Sequence, residues 1–280
     1  MSAELPSPDG LIRRYGRPAK KRFGQNFLSD IGLLDRVVRA ARVEPGSRVL
    51  EIGPGPGGLT SRLLHAGASV VALEADQELF EHLRGAFAEH ALDVRLGDAL
   101  SDDLDEALGD PPATVVANLP YHLATEILFR LIDRDDPPAG MALMFQREVA
   151  ERIVSPGASR EFGPLAVGTG LRFRTRIALR LPPGAFRPPP KVHSAVVAFE
   201  RREEPLCDAA TERTTRHLAR LAFQQRRKML RASIGKRVPG VMEAMEEVGI
   251  DPTARPEALD LERFVALGRA WRSREDAGSA

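Results

Sequence analysis

The sequence predicts an α/β protein: a mostly parallel sheet with crossover helices and an antiparallel edge, followed by a small all-α C-terminal domain. Short β-rich runs alternate with helical patterns as far as residue 145, two long alternating runs then follow with no helix between them, and strand signal stops near residue 205. Taking the chain in order, SDIGLLDRVVRAA (29–41) spaces Ile31, Leu34, Val37, Val38 and Ala41 as a helix behind a Ser29 or Asp30 cap. RVLEI, SVVALE, DVRLGD, TVVAN and MALMF read as strands, and LTSRLLHA, DQELFEHLRGAFAEH, SDDLDEALG and ATEILFRLID as the helices between them. LRFRTRIALRL and VHSAVVAFE, joined by the Pro-rich PPGAFRPPP, fit an antiparallel, hairpin-like edge better than another crossover unit. Amphipathic patterns near 208–235, 240–248 and 257–271 predict the last helices. The expected organisation is a flexible basic segment over 1–20, an α/β domain over 21–203, a helical domain over 204–272 and a frayed, disordered tail over 273–280.

Composition narrows the function. The 280 residues, 43% hydrophobic, can bury the core of one large domain and a small one. Cys207 is the only cysteine, which excludes disulfides and Cys-rich metal sites and points to a reducing compartment. His65, His82, His90, His193 and His217 show no metal spacing, so no metal is expected. No leader pattern and no span of membrane length is visible; the expectation is a cytoplasmic protein with no membrane partner. The formal net charge is only +1, but it is unevenly spread. Residues 11–22 carry Arg13, Arg14, Arg17, Lys20, Lys21 and Arg22 with no acid, and residues 211–237 carry nine basic residues against Glu212. A single basic block is usually a solvated helix face. Two of them flanking a candidate binding strand favour a polyanion, because phosphate neutralisation supplies most non-specific nucleic-acid affinity.

The first strand-to-helix turn reads LEIGPGPGGLT, in which Gly53, Gly55 and Gly58 satisfy GxGxxG and Glu74 ends the next strand. That is a dinucleotide fingerprint, acid included, and it keeps a nicotinamide enzyme in consideration. The prolines argue otherwise: a pyrophosphate cradle works through backbone N–H donors, and Pro54 and Pro56 have none. A nucleoside cofactor without phosphate, S-adenosyl-L-methionine, loses nothing by that. Glu74 then suits the ribose hydroxyls, and Asp98, in RLGDAL after the third strand, the adenine amino group. Either acid alone could simply cap the following helix. Together at adjacent strand ends, beside a Gly-rich turn, they favour a ligand.

The fourth strand, VVAN, breaks at Asn118-Leu119-Pro120-Tyr121, although a turn needs only one of Asn or Pro. In this kind of sheet that strand lies beside the first, so Asn118 is expected next to the methyl donor. An adenine amine is a poor nucleophile because its lone pair is delocalised into the ring. Two acceptors aimed at its hydrogens, the Asn118 side-chain oxygen and the Leu119 carbonyl, favour a pyramidal nitrogen that can attack. Pro120 fixes the turn and Tyr121 stacks on the base, a contact of about 1–3 kcal/mol. A plain strand-to-helix turn with a half-buried tyrosine is the alternative.

The chain closely resembles the small-subunit ribosomal RNA adenine N6,N6-dimethyltransferases (the KsgA/RsmA family) from about Lys20 to about residue 270. The resemblance lies in KRFGQNFL (21–28), EIGPGPGGLT (51–60), LEAD (73–76), GDAL (97–100), NLPY (118–121), FQREVAERIV (145–154), AFRPPPKVHSAVV (185–197) and FQQRRKMLR (223–231). It implies a Rossmann-like S-adenosylmethionine-dependent methyltransferase fold, with Asn26, Leu28, Gly53, Gly55, Glu74, Asp98 and Asn118 as cofactor contacts. It implies Asn118, Leu119, Pro120 and Tyr121 as the N6-adenine motif, Phe186 as a second aromatic on the other face of the base, and Gln25 to Leu28 as a lid. Core packing is the competing role for Phe27 and Phe186. Lys20, Lys21, Arg22, Arg226, Arg227, Lys228 and Arg231 are the expected RNA contacts, and the helical domain is expected to bind RNA or the ribosome. After the motif the chain reads HLATEIL, where the family prefers Asn or Tyr and then Ser or Thr, so His122 is left out of the site.

The implied reaction is transfer of two methyl groups to N6 of each of two adjacent adenosines in the 3′-terminal hairpin loop of 16S rRNA, within an immature small subunit, by a monomer. A loop target exposes its bases at low unstacking cost. The alternatives are a 23S rRNA adenine methyltransferase of the antibiotic-resistance type, a ribosome assembly factor acting mainly by binding, and the nicotinamide dehydrogenase, which leaves both basic blocks and NLPY unexplained.

Overall fold

The computed structural model describes residues 4–20, 24–101 and 103–278, and its contacts divide the chain into two units. The first comprises residues 1–150 and 176–201, the second 151–175 and 202–280. The chain begins with α1 (Pro8–Tyr15), β1 (Phe27–Leu28) and α2 (Ile31–Ala40). It then alternates through β2 (Arg48–Ile52), α3 (Gly58–His65), β3 (Ser69–Glu74), α4 (Gln77–Ala86), β4 (Leu92–Leu96) and α5 (Asp103–Leu108). β5 (Thr114–Ala117), α6 (Ala124–Ile132) and β6 (Gly140–Gln146) follow, and α7 (Arg147–Ile153) leads to α8 (Pro164–Gly170). β7 (Phe173–Leu181), β8 (Phe186–Arg187) and β9 (Ser194–Arg201) complete the strands, and α9 (Ala209–Gln224), α10 (Leu230–Ser233), α11 (Val241–Glu247) and α12 (Leu261–Gly278) the helices.

Seven strands form one sheet in the order β4-β3-β2-β5-β6-β9-β7. β2 to β6 run parallel and β9 runs antiparallel to β6. β2, β5 and β6 are buried along almost their whole length, which is why they read as unbroken apolar runs, whereas edge strand β4 is largely accessible. Leu34, Val37 and Val38 of α2 and Leu59 and Leu63 of α3 pack on Val49, Val70 and Val116. Asp30, rather than Ser29, caps α2 by accepting from the Leu33 N–H.

The strand order reverses at β2, with β3 on one side and β5 on the other. Ile52 is in register with both Leu73 and Ala117, and Glu74 with Leu96. The residues that follow these pairs, Gly53, Glu74 and Asn118, therefore gather at one carboxyl edge, where open α/β sheets bind ligands.

Five expectations are corrected. Inside the segment expected to be loose, α1 is capped by Ser7 and buries Leu11 fully against Leu83 and Phe87. Leu11 and Tyr15 share one helical face, a stripe too short to stand out among arginines. Residues 151–175, assigned to the α/β domain, belong to the helical unit. The link between β7 and β9 is not a plain hairpin, because β8 within it pairs antiparallel with β1, Leu28 opposite Phe186. Finally, the helix expected over 208–235 ends at Gln224 and resumes at Leu230, since the 251–254 loop takes the Leu230 and Arg231 N–H groups through the Ala254 and Pro252 carbonyls. At the other end α12 runs into the expected tail as far as Gly278; residues 279 and 280 lie outside the described residues.

The second unit has its own core, in which Phe162, Phe223 and Phe264 meet with ring centroids 5.9 to 6.2 Å apart. α12 comes against α9 at Gly268, where a Cβ would lie 2.3 Å from the Thr215 hydroxyl oxygen. Among the described residues no helix is long and apolar enough to cross a membrane, and no group of three His, Cys, Asp or Glu side chains could hold a metal.

Candidate active site

The turn after β2 is tight because glycine takes it through left-handed backbone: φ is +58° at Gly55 and +98° at Gly57. Side chains close on it from outside. A Cβ at Gly55 would lie 3.1 Å from the Phe27 ring, and one at Gly57 2.6 Å from Phe87. The donors of the turn are already committed. Gly53 N–H goes to the Leu73 carbonyl at 2.9 Å, Gly55 N–H to Glu74 Oε2 at 3.1 Å and Gly57 N–H to the Pro54 carbonyl at 3.1 Å, while Pro54 and Pro56 have none. Within residues 53–57 a pyrophosphate would find no uncommitted N–H, because a carboxylate occupies the Gly55 donor. The geometry disfavours a dinucleotide and fits a nucleoside whose hydroxyls meet Glu74.

Glu74, 6% exposed, also accepts from Asp76 N–H at 2.9 Å through Oε1. Burial outweighs both backbone donors and pushes its pKa up to about 7. Beneath it the sequence reasoning missed a second carboxyl. Glu51 in β2 is 1% exposed and accepts from Thr60 Oγ1 at 2.6 Å; burial, with the Glu74 charge adding, pushes it up to about 8. The signal was there: an acid inside RVLEI, where its neighbours Leu50 and Ile52 are buried. Asp98, past the end of β4, is exposed and caps its own turn by accepting from Leu100 N–H at 2.9 Å. Arg130 of α6 braces that turn through the Leu100 and Ser101 carbonyls at 2.9 and 2.8 Å.

After β5, Asn118 donates from Nδ2 to the Asn26 carbonyl at 2.8 Å, and Asn26 in turn donates from its side chain to the Gly24 carbonyl at 3.0 Å. With its amide nitrogen so used, Asn118 keeps its oxygen for another partner. Leu119 is buried, and the Pro120 carbonyl accepts from Leu123 N–H at 3.0 Å to close the turn. The Tyr121 hydroxyl lies 2.6 Å from Ser194 Oγ, and burial pushes the phenol above its usual pKa.

One cavity joins these groups. Asn26, Leu28, Gly53, Gly55, Glu74 and Asp98 line it, as do Asn118, Leu119, Pro120 and Tyr121. Phe27, Glu51 and, from α1, Ile12 contribute as well. Phe186 does not: it is 2% exposed within the core around Leu28, Leu34 and Met144, because pairing of β8 with β1 turns it inward. It offers no face to a base, and the packing role weighed against the catalytic one is the observed one.

The basic residues are also redistributed. Lys20 Nζ is held by Asp76 and Glu78, each at 2.9 Å, and Arg17 pairs with Glu78 at 2.8 Å, so Lys20 is neutralised locally instead of offered to phosphate. Lys21 and Arg22 lie outside the described residues. In the helical unit Arg226 donates to the Arg160 carbonyl and stands 3.9 Å from Glu257, while Arg227, Lys228 and Arg231 are exposed.

Comparison with known proteins identifies the family. Residues 16–268 match the family model described as ribosomal RNA adenine dimethylase. The chain is 46% identical over 270 residues to ribosomal RNA small subunit methyltransferase A of Cereibacter sphaeroides, covering 95% of this chain and 96% of that one. To the protein of the same name from Xanthobacter autotrophicus it is 43% identical over 287 residues, covering 99% and 98%. Among solved structures, a dimethyladenosine transferase from Plasmodium falciparum shares the fold with a TM-score of 0.76 at 24% identity, over 89% of this chain and 98% of that one. The 23S rRNA methyltransferase ErmE gives 0.71 at 25% identity, over 88% and 100%. The chain belongs to the ribosomal RNA adenine dimethylase family and is accordingly an S-adenosylmethionine-dependent methyltransferase.

Proposed function

We propose that this enzyme dimethylates N6 of two adjacent adenosines in the 3′-terminal hairpin loop of 16S rRNA, acting as a cytoplasmic monomer on an immature small subunit during ribosome biogenesis. The name and near-complete coverage of the small-subunit relatives support the substrate. The observation that carries the chemistry is the Asn118 Nδ2 bond to the Asn26 carbonyl, which selects the amide orientation.

S-adenosylmethionine supplies an electrophilic methyl group on sulfur. When it is bound, Glu74 would accept from the ribose hydroxyls and Asp98 from the adenine amino group, and Asn26, Leu28, Gly53 and Gly55 would enclose the amino-acid end. Asn118 Oδ1 and the Leu119 carbonyl accept the two hydrogens of the target amine and draw its lone pair out of the ring, while Tyr121 stacks on the base. The amine becomes acidic once methylated, so no strong base is needed. The raised phenol pKa supports Tyr121 as a neutral platform rather than a base. Catalysis is positioning and electrostatics. Arg226, Arg227, Lys228 and Arg231 are the RNA-backbone contacts, a role supported by the exposure of the last three.

The test offers labelled S-adenosylmethionine with unmethylated small subunits, large subunits and protein-free rRNA in parallel, and locates the product by mass spectrometry. N6,N6-dimethyladenosine confined to small-subunit RNA is the expected result. Label in large-subunit RNA overturns the substrate assignment, and no label anywhere overturns the activity.

A further inference from the structure

Ser194, the first residue of β9, is fully buried and does not line the cavity. The sheet fixes it. It is in register with Gln146 at the end of β6, and the carbonyl of its neighbour His193 accepts from Arg147 N–H at 2.9 Å. Its hydroxyl lies 2.6 Å from the hydroxyl of Tyr121, which does line the cavity. A serine oxygen buried this completely needs a protein partner, and the phenol is the side chain that meets it.

We propose that Ser194 is a positioning residue that sets the plane of the Tyr121 ring, and that the phenol hydroxyl is present for this tether and takes no part in proton transfer. The inference rests on Tyr121 as the base platform. Tyr121 follows a proline in a turn, where a ring hinged only at its Cβ has torsional freedom. Bonded at its far end to a sheet residue, the ring is held at both ends before the base arrives. The cost of immobilising it is then met in folding instead of at each encounter. The base enters after the RNA has docked through other contacts, so losing the tether lowers the fraction of complexes with a correctly stacked base. That reduces kcat and leaves the KM for RNA and the affinity for S-adenosylmethionine in place.

The experiment is a double-mutant cycle on the full-length enzyme with unmethylated small subunits. Ser194→Ala and Tyr121→Phe remove the same bond from opposite sides. Each is expected to lower kcat about fivefold, the scale of one immobilised side chain. KM for the subunit and cofactor affinity by calorimetry should stay within about twofold of the parent, and the double variant should be no slower than either single one. Multiplying effects in the double variant, wild-type turnover of either single variant, or a matching loss of cofactor affinity overturns the proposal. Tyr121→Phe keeps the comparison usable should Ser194→Ala fail to fold. Tyr121→Ala separates this inference from the site reading: if it stays active, the platform itself is wrong; if it is inactive while Ser194→Ala and Tyr121→Phe turn over normally, only the tether is wrong.

Discussion

The two ends of the cavity are built differently. At the Gly-rich end, polar groups are satisfied before any ligand arrives: Glu74 holds two backbone N–H groups, Asp98 caps its own turn and Glu51 takes the Thr60 hydroxyl. At the Asn118 end a single bond commits one amide hydrogen, fixes the orientation of the amide and leaves its oxygen for use. The first end is a shaped socket with its acids held in fixed positions. The second is a hydrogen-bonding site with an acceptor left open, which under the proposed mechanism a target amine completes. A socket determines binding, whereas acceptors engaged only as charge develops on the amine determine rate.

Substitutions should separate along that line. The largest effect is expected at the open end: Asn118→Ala should lower kcat roughly 10²–10³-fold, the scale of removing one preorganised polar group, with folding unchanged by circular dichroism. Turnover near that of the parent would remove Asn118 from the mechanism. At the socket end, Glu74→Gln should weaken S-adenosylmethionine about tenfold in calorimetry, since a charge-assisted acceptor becomes neutral. Because Glu74 titrates near 7, parent affinity should rise as pH climbs through 7 and then level, while the Gln variant stays flat. A variant that retains the pH dependence would assign it to another group.

A separate effect is on stability. Glu51 and Glu74 have folded-state pKa values of about 8 and about 7, above the 4.5 of an unperturbed glutamate. The folded chain therefore holds protons that the unfolded chain has released. Stability falls as pH rises from about 4.5 toward 8 and levels beyond it. Glu51→Gln removes its share of that slope, so its Tm should exceed the parent's above pH 8 and converge with it near pH 4.5. A Tm difference that grows toward low pH would contradict the assignment.

The socket was legible in the sequence because each of its parts is local. A Gly-rich turn, an acid ending the next strand and an acid after the third are placed by parallel strand order alone, and Ile52 in register with Leu73 and Ala117 brings Gly53, Glu74 and Asn118 together. What was misread depends on partners distant in sequence. Phe186 turns inward because β8 finds β1, Lys20 is neutralised by Asp76 and Glu78 some 56 and 58 residues on, and α1 is held by Leu83 and Phe87. None of these pairings leaves a periodic mark. Glu51 was passed over for a different reason: motif reading attends to the glycines, while the acid is noticed only by asking which polar residue an otherwise apolar strand must bury.

The most direct test of the central claim is turnover of Asn118→Asp, which keeps the shape and an oxygen but replaces the amide donor with a second acceptor facing the Asn26 carbonyl. With that bond lost and two acceptors opposed, kcat is predicted to fall at least about tenfold while the fold persists. Turnover equal to the parent's would mean that the Asn118–Asn26 hydrogen bond does not orient the catalytic oxygen, and the account of the open end would be wrong.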